Sequence, residues 1–137
     1  MEANHPEKSQ EDVIRVKGDG YQEEWKKPIL GTALTGMVMS RLGDHGIPCW
    51  RQQAGISHGL KGGVMRLGID GCADICAILP DGKMFQVEVK AGRDYQRKDQ
   101  KSFQEMIEKN NGVYLIVRCV DDIDRFVVSY KSKLTSS

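Results

Sequence analysis

Pro80-Asp81-Gly82 constrains this chain more than any other three residues. Pro presets φ for the first central position of a type I turn, and Asp suits the next. Gly then accepts the left-handed conformation that follows. Together they make the common three-residue hairpin loop closed by a bulge. On that loop Leu79 faces Lys83, and the register runs on to set Asp74 opposite Glu88. A two- or four-residue loop would put those two acids on opposite faces. The apolar pattern supports the same register independently, because side chains alternate faces along a strand. Ile75, Ala77 and Leu79 share one face with Phe85, Val87 and Val89; Asp74, Gln86, Glu88 and Lys90 share the other. A slip of one residue would mix the two sets, at a high cost where one face is buried.

The polar face of this hairpin carries chemistry. Directly opposed residues have Cβ atoms roughly 4.5–5.5 Å apart, and like charges there destabilise the pair. A divalent cation held by Asp74 and Glu88 would offset the repulsion, and hard oxygen ligands suit Mg²⁺ or Mn²⁺. Lys90 projects from the same face roughly 6–7 Å further along the strand. There it could hold an attacking water or neutralise a transition-state phosphate. Taken alone, an Asp and a Glu-x-Lys are more often ordinary solvated residues on an open sheet face.

Composition sets modest bounds. A length of 137 residues fits one domain with a real core. The formal net charge is +1 with 28% charged residues, so any nucleic-acid-binding surface must be local. No apolar run is long enough to span a membrane, and the polar, acidic start is not a signal peptide. Four Cys without secretory context read as reduced thiols, which points to a cytoplasmic protein. A zinc site from His58, Cys72, Cys76 and Cys119 is disfavoured. If Cys72 and Cys76 share a strand face they lie about 13 Å apart, too far for one tetrahedral ion. Buried free thiols are the better reading.

Along the chain, residues 1–27 read as a polar arm that is loose or ordered by a partner, with Val13-Ile14-Arg15-Val16 as its one apolar island. Residues 28–133 form the domain, and 134–137 a frayed tail, with fraying expected from Lys131. The spacing of Leu30, Leu34, Met37, Val38 and Leu42 predicts a helix from about Pro28 to Asp44. Pro48–Ala54 reads as a first strand. Gly55–Gly68 reads as a mobile Gly-rich loop beside Asp74, where a substrate backbone could pass. A second helix is expected from about Tyr95 to Asn110, its apolar stripe marked by Phe103, Met106 and Ile107. Gln96 and Gln100 continue that stripe, so Gln100 points towards the sheet and needs buried partners. Arg93, Arg97, Lys98 and Lys101 make the dense basic patch near its start, either phosphate contacts or a solvated helix face. Val113–Arg118 is a buried strand. Asp121 is expected to cap a last helix bearing Ile123, Phe126, Val127 and Tyr130. Trp25, Ile29 and Met39 suit either a core or a subunit contact.

The order Gly-x-x-Asp (Gly71 to Asp74), then Glu-x-Lys after a hairpin (Glu88 to Lys90), then a helix bearing Gln100 resembles the PD-(D/E)XK nuclease superfamily. Trp50-Arg51-Gln52-Gln53-Ala54-Gly55, Gln100-Lys101-Ser102-Phe103 and Gly112-Val113-Tyr114-Leu115-Ile116-Val117-Arg118 bring it nearest the VRR-NUC (virus-type replication-repair nuclease) branch, over roughly residues 30–130. The resemblance implies an α/β protein with a restriction-endonuclease-like core, a small mixed sheet (the hairpin plus further strands) flanked by helices. It implies Mg²⁺-dependent hydrolysis of DNA phosphodiesters, with Mn²⁺ able to substitute. Asp74, Glu88 and the backbone carbonyl of Val89 would bind metal, and Lys90 and Gln100 would assist catalysis. Small stand-alone members resemble phage enzymes that act as homodimers on branched DNA such as four-way junctions, so a phage-infected or bacterial cell is the expected setting. Arg51, Lys61 and Arg66 join Arg93, Arg97, Lys98 and Lys101 as candidate contacts to nucleic acid.

Family members often carry an acid on the first helix, whereas Gly31–Gly36 here has none and Glu23 and Glu24 lie earlier. That motivates the alternative: a nucleic-acid-binding module on the same fold with weak or no catalysis. Hydrolysis of a non-nucleic phosphate ester is less favoured, because no phosphate-cradling Gly loop precedes a helix.

Overall fold

The computed structural model describes residues 21–22, 27–28, 30–59 and 61–136. The elements in chain order are β1 (Tyr21–Gln22), β2 (Lys27–Pro28), α1 (Gly31–Asp44), β3 (Cys49–Arg51), β4 (Gly55–His58), β5 (Val64–Leu67), β6 (Ile75–Ile78), β7 (Met84–Val89), α2 (Lys98–Lys109), β8 (Val113–Val117) and α3 (Val120–Thr135). The fold is mixed α/β. Its centre is a four-stranded sheet of order β3-β6-β7-β8, with β1-β2 and β4-β5 as separate two-stranded pairs.

The β6–β7 hairpin adopts the register its turn requires. Ile75 pairs with Val87, Ala77 with Phe85 and Ile78 with Met84. Leu79 N–H donates to the Lys83 carbonyl at 3.0 Å, and Gly82 N–H donates to Leu79 at 2.8 Å. Gly82 has φ of 90°, the left-handed conformation that closes such a loop. The Tyr130 hydroxyl donates to Asp81 Oδ2 at 2.6 Å, tying α3 to the turn.

β3 joins β6 antiparallel, while β8 joins β7 in parallel through α2, so the sheet is mixed. Alternation along each strand sorts its two faces. Ile75, Ala77, Leu79, Phe85, Val87, Val89 and Val117 all turn towards α1 and α3. They make one core with Leu34, Val38 and Leu42 of α1 and with Val120, Ile123 and Val127 of α3. The opposite face is covered by α2, where Phe103 and Ile107 pack on Ala73 and Tyr114. The result is three layers, two helices on one side and one on the other. The polar face of the hairpin is therefore not open to water: Gln86, Glu88 and Lys90 are buried beneath α2.

Several expectations change. Gly55–Gly68 is not a loop: β4 and β5 pair from Gly55 with Leu67 to His58 with Val64. Val64 and Met65 are exposed there, so no buried face marks the strands. The first helix starts at Gly31, and Pro28 instead pairs with Tyr21, which places part of the expected loose arm in a β-bridge. The helix bearing Gln100 starts at Lys98, which leaves Tyr95 and Gln96 before it. Cys72 precedes β6 rather than sharing a strand with Cys76. The N-cap of the last helix is Cys119, not Asp121, and Asp122 at N3 reaches back: its Oδ2 accepts Arg118 N–H at 2.9 Å and Cys119 N–H at 3.3 Å. That helix continues to Thr135, through the segment expected to fray. Met39 packs against the core. Residues 13–16, Glu23, Glu24, Trp25 and Ile29 lie outside the described residues. Among the described residues no helix is long and apolar enough to cross a membrane.

Candidate functional site

Four side chains named from the sequence converge beneath the start of α2. Asp74 ends the turn before β6, Glu88 and Lys90 come from the end of β7, and Gln100 reaches down from the first turn of α2. The β6–β7 register, carried one pair beyond Ile75 and Val87, sets Asp74 opposite Glu88. Asp74 Oδ2 also accepts the Val89 N–H at 2.8 Å. Gln100 is the joint of the cluster. Its Oε1 accepts from Lys90 Nζ at 2.9 Å and from Arg97 N–H at 2.8 Å. Its Nε2 donates to Glu88 Oε1 at 3.2 Å. The second of these bonds is half of a capping box: a Gln at N3 satisfies a backbone donor at the helix start. Lys90 Nζ lies 3.9 Å from Glu88 Oε1.

Burial gives these contacts their force. Glu88, Lys90 and Gln100 are each 3% exposed, while Asp74 is half-buried at the rim. Burial is the first cause that pushes Glu88 up to about 8; the neighbouring Asp74 adds to it, and Lys90 and Arg97 act against it. Glu88 Oε2 is buried with no hydrogen-bond partner among the described residues. An orphaned carboxylate oxygen beside a second carboxylate is costly unless a proton or a cation fills the gap.

A divalent cation fits this donor set. No group of three or more His, Cys, Asp or Glu that could hold a metal occurs among the described residues. Mg²⁺ does not need one, since it commonly keeps several waters and takes one or two carboxylates together with substrate phosphates. The carbonyl of Val89 lies on the same edge of β7 as its N–H, the edge that faces Asp74, because both polar groups of a strand residue point to one side.

The remaining candidates lie around this centre at the surface. Arg93, Arg97, Lys98 and Lys101 are exposed at the start of α2, with Arg97 Nε 3.4 Å from Asp99. Arg51 is exposed on β3. Lys61 and Arg66 belong to the β4–β5 hairpin, and Arg66 is engaged by Asp70 at 2.8 Å. Four site neighbours, Gln52, Gln86, Tyr114 and Cys72, had no role in the site assigned from the sequence. Gln52 Nε2 donates to the buried Gln86 Oε1. The Tyr114 hydroxyl, 3.3 Å from Gln96 Nε2, is pushed up to about 12, first by burial and also by the charges of Glu88 and Asp74. Burial raises the Cys72 thiol, and the same two acids add to it. Of these, only the alternation that buries Gln86 was visible in the sequence.

No protein-family model, no curated protein and no solved structure matches this chain.

Proposed function

We propose that this chain is a Mg²⁺-dependent nuclease of the PD-(D/E)XK type, built on a restriction-endonuclease-like core. It hydrolyses phosphodiester bonds of DNA and prefers branched forms such as four-way junctions. One observation supports this most: the hairpin register sets Asp74 opposite Glu88, and a buried Glu88 oxygen has no donor among the described residues. Asp74, Glu88 and the Val89 carbonyl would hold the ion, which supplies charge to polarise the scissile phosphate and lowers the pKa of a bound water. Lys90 sets a positive charge against the anionic transition state. Gln100 fixes Lys90 and Glu88 in position through both ends of its amide. Arg93, Arg97, Lys98 and Lys101 bind flanking phosphates. Two copies acting together would suit a four-way junction.

A second reading has its own supporting observation. Gln100 also caps α2 through Arg97 N–H, so the buried cluster has a structural use without catalysis. On that reading the chain is a nucleic-acid-binding module. One assay separates the two. Labelled single-stranded, duplex, flapped and four-way DNAs are incubated with the protein in Mg²⁺ or in EDTA. The nuclease cuts only with Mg²⁺ and loses on the order of a hundredfold or more in rate in Asp74→Ala. Cutting that survives EDTA or Asp74→Ala rules the mechanism out, and binding with no cutting supports the module.

A further inference from the structure

Two residues back from Glu88 on the same face of β7, Gln86 is 2% exposed and lines a cavity of ≈ 290 Å³. The walls are apolar: Phe103 and Ile107 come from α2, Ile69 from the turn between β5 and β6. Met84, Met106 and Ile69 line it as well and remain exposed to solvent at 50%, 38% and 54%. The polar part is made by the side chains of Gln52, Gln53 and Gln86 with the thiols of Cys72 and Cys76, and two of the amides are paired. Gln52 Nε2 donates to Gln86 Oε1, and Gln86 Nε2 donates to Cys76 Sγ at 3.1 Å. Each amide has two N–H donors and two acceptor positions. Hydrogen-bonding capacity is thus left over on both paired amides.

This lining selects its ligand. No charged side chain among the described residues faces the cavity, which disfavours a phosphate or carboxylate as occupant. A purely aliphatic group would strand the amides. A flat group with apolar faces and a donor–acceptor edge satisfies both parts, and a nucleobase is such a group. The polarisable Met and Phe side chains suit stacking. The amide of a Gln matches a base edge. Gln86 and Glu88 are spaced by roughly 6–7 Å along the strand, so a base at one and a phosphate at the other belong to the same stretch of backbone.

We infer that this cavity receives one unpaired nucleobase of the strand whose phosphate lies at Asp74 and Glu88. The inference rests on the nucleic-acid reading above and deepens it. A base inside a duplex must first be unstacked, at a cost of a few kcal/mol that is least for single strands and mispaired positions. The cavity thereby supplies a physical source of preference for flaps and junctions.

The test is an abasic scan. Flapped DNAs, each with one abasic residue at a successive position across the flap and junction, are bound to the full chain in EDTA and followed by fluorescence anisotropy. Wild type should lose on the order of tenfold in affinity at one position only. Met106→Trp and Ile69→Trp fill the cavity from two separate segments of the chain, and both positions are exposed enough to accept the change. Each should bind intact DNA about tenfold more weakly and show no further loss at the abasic position. A flat scan, or variants that bind intact DNA like wild type, overturns the inference. Cleavage in Mg²⁺ is measured on the same DNAs. Cutting with a flat scan leaves the nuclease standing without the base site; a position-specific loss without cutting does the reverse.

Discussion

The backbone of Gly71 lies directly against that of Asp99: a Cβ on Gly71 would overlap the Asp99 carbonyl and sit 2.8 Å from Gln100 N. Gly71 also has φ of 77°, which disfavours any side chain. The contact joins the turn leading to Asp74 to the helix start carrying Gln100, so one glycine sets the spacing of the site. Gly82 has φ of 90° but open space around its Cβ position. Gly82→Ala should therefore cost only the conformational strain, about 1–2 kcal/mol. Gly71→Ala should cost clearly more and also weaken Mn²⁺ binding. Urea unfolding and calorimetry of the two variants check this, and equal costs would show that the close approach relaxes freely.

Burial and Asp74 together hold the Glu88 carboxyl up at about 8, from an ordinary value of 4.5. The folded value is the higher one, so the fold binds a proton that the unfolded chain has released. The stabilisation from this proton is complete below about pH 4.5 and is lost as the pH rises through about 8. Metal-free protein should thus weaken from pH 5 to pH 9. Glu88→Gln should flatten that trend and be more stable than wild type at pH 9, by on the order of 1–3 kcal/mol. Thermal unfolding in EDTA at a series of pH values measures it. A metal ion must displace the same proton, so Mn²⁺ affinity should rise with pH by up to about tenfold per unit below 8.

Gln100 and Asp74 should separate structural from chemical roles. Gln100→Ala removes the acceptor for Lys90 Nζ and for Arg97 N–H, leaving a buried ammonium without its 2.9 Å partner. It should lose roughly 1–3 kcal/mol of stability with or without metal. Asp74→Asn removes a charge that opposes ionisation of Glu88 but retains an oxygen for Val89 N–H. It should keep its stability in EDTA and lose metal binding. Similar loss of stability in both variants would mean that Asp74 is a structural residue.

What could be read before folding depended on how local the determining force was. The register of β6 and β7 was legible because three turn residues and one alternating apolar face demand the same pairing. Gln100 was legible because it continues the stripe of Phe103 and Ile107. The β4–β5 hairpin was not. Val64 and Met65 are exposed and its glycines carry no side chain, so burial leaves no period to follow. The Gln52–Gln86 amide pair was also hidden, because it exists only once β3 docks on β6 with Arg51 opposite Ile75. The enclosure of Glu88 and Lys90 depends likewise on α2 crossing the sheet, a long-range event that alternation along one strand does not report.

The exposed cations at the start of α2 should act on binding alone. Arg93, Lys98 and Lys101 stand in solvent without ion-pair partners among the described residues, whereas Arg97 approaches Asp99 at 3.4 Å. Each free cation that neutralises a phosphate contributes about one unit to the slope of log affinity against log salt. Lys98→Ala and Lys101→Ala together should weaken binding to every DNA in the panel by a similar factor and lower the slope by roughly two. Stability should stay within about 0.5 kcal/mol, as for ordinary surface changes. Arg97→Ala should have a smaller salt effect than either, since Asp99 already competes for its charge. Binding isotherms at four salt concentrations decide the matter: an unchanged slope in the double variant would place the nucleic-acid path elsewhere, with Arg51 and the β4–β5 hairpin next to test.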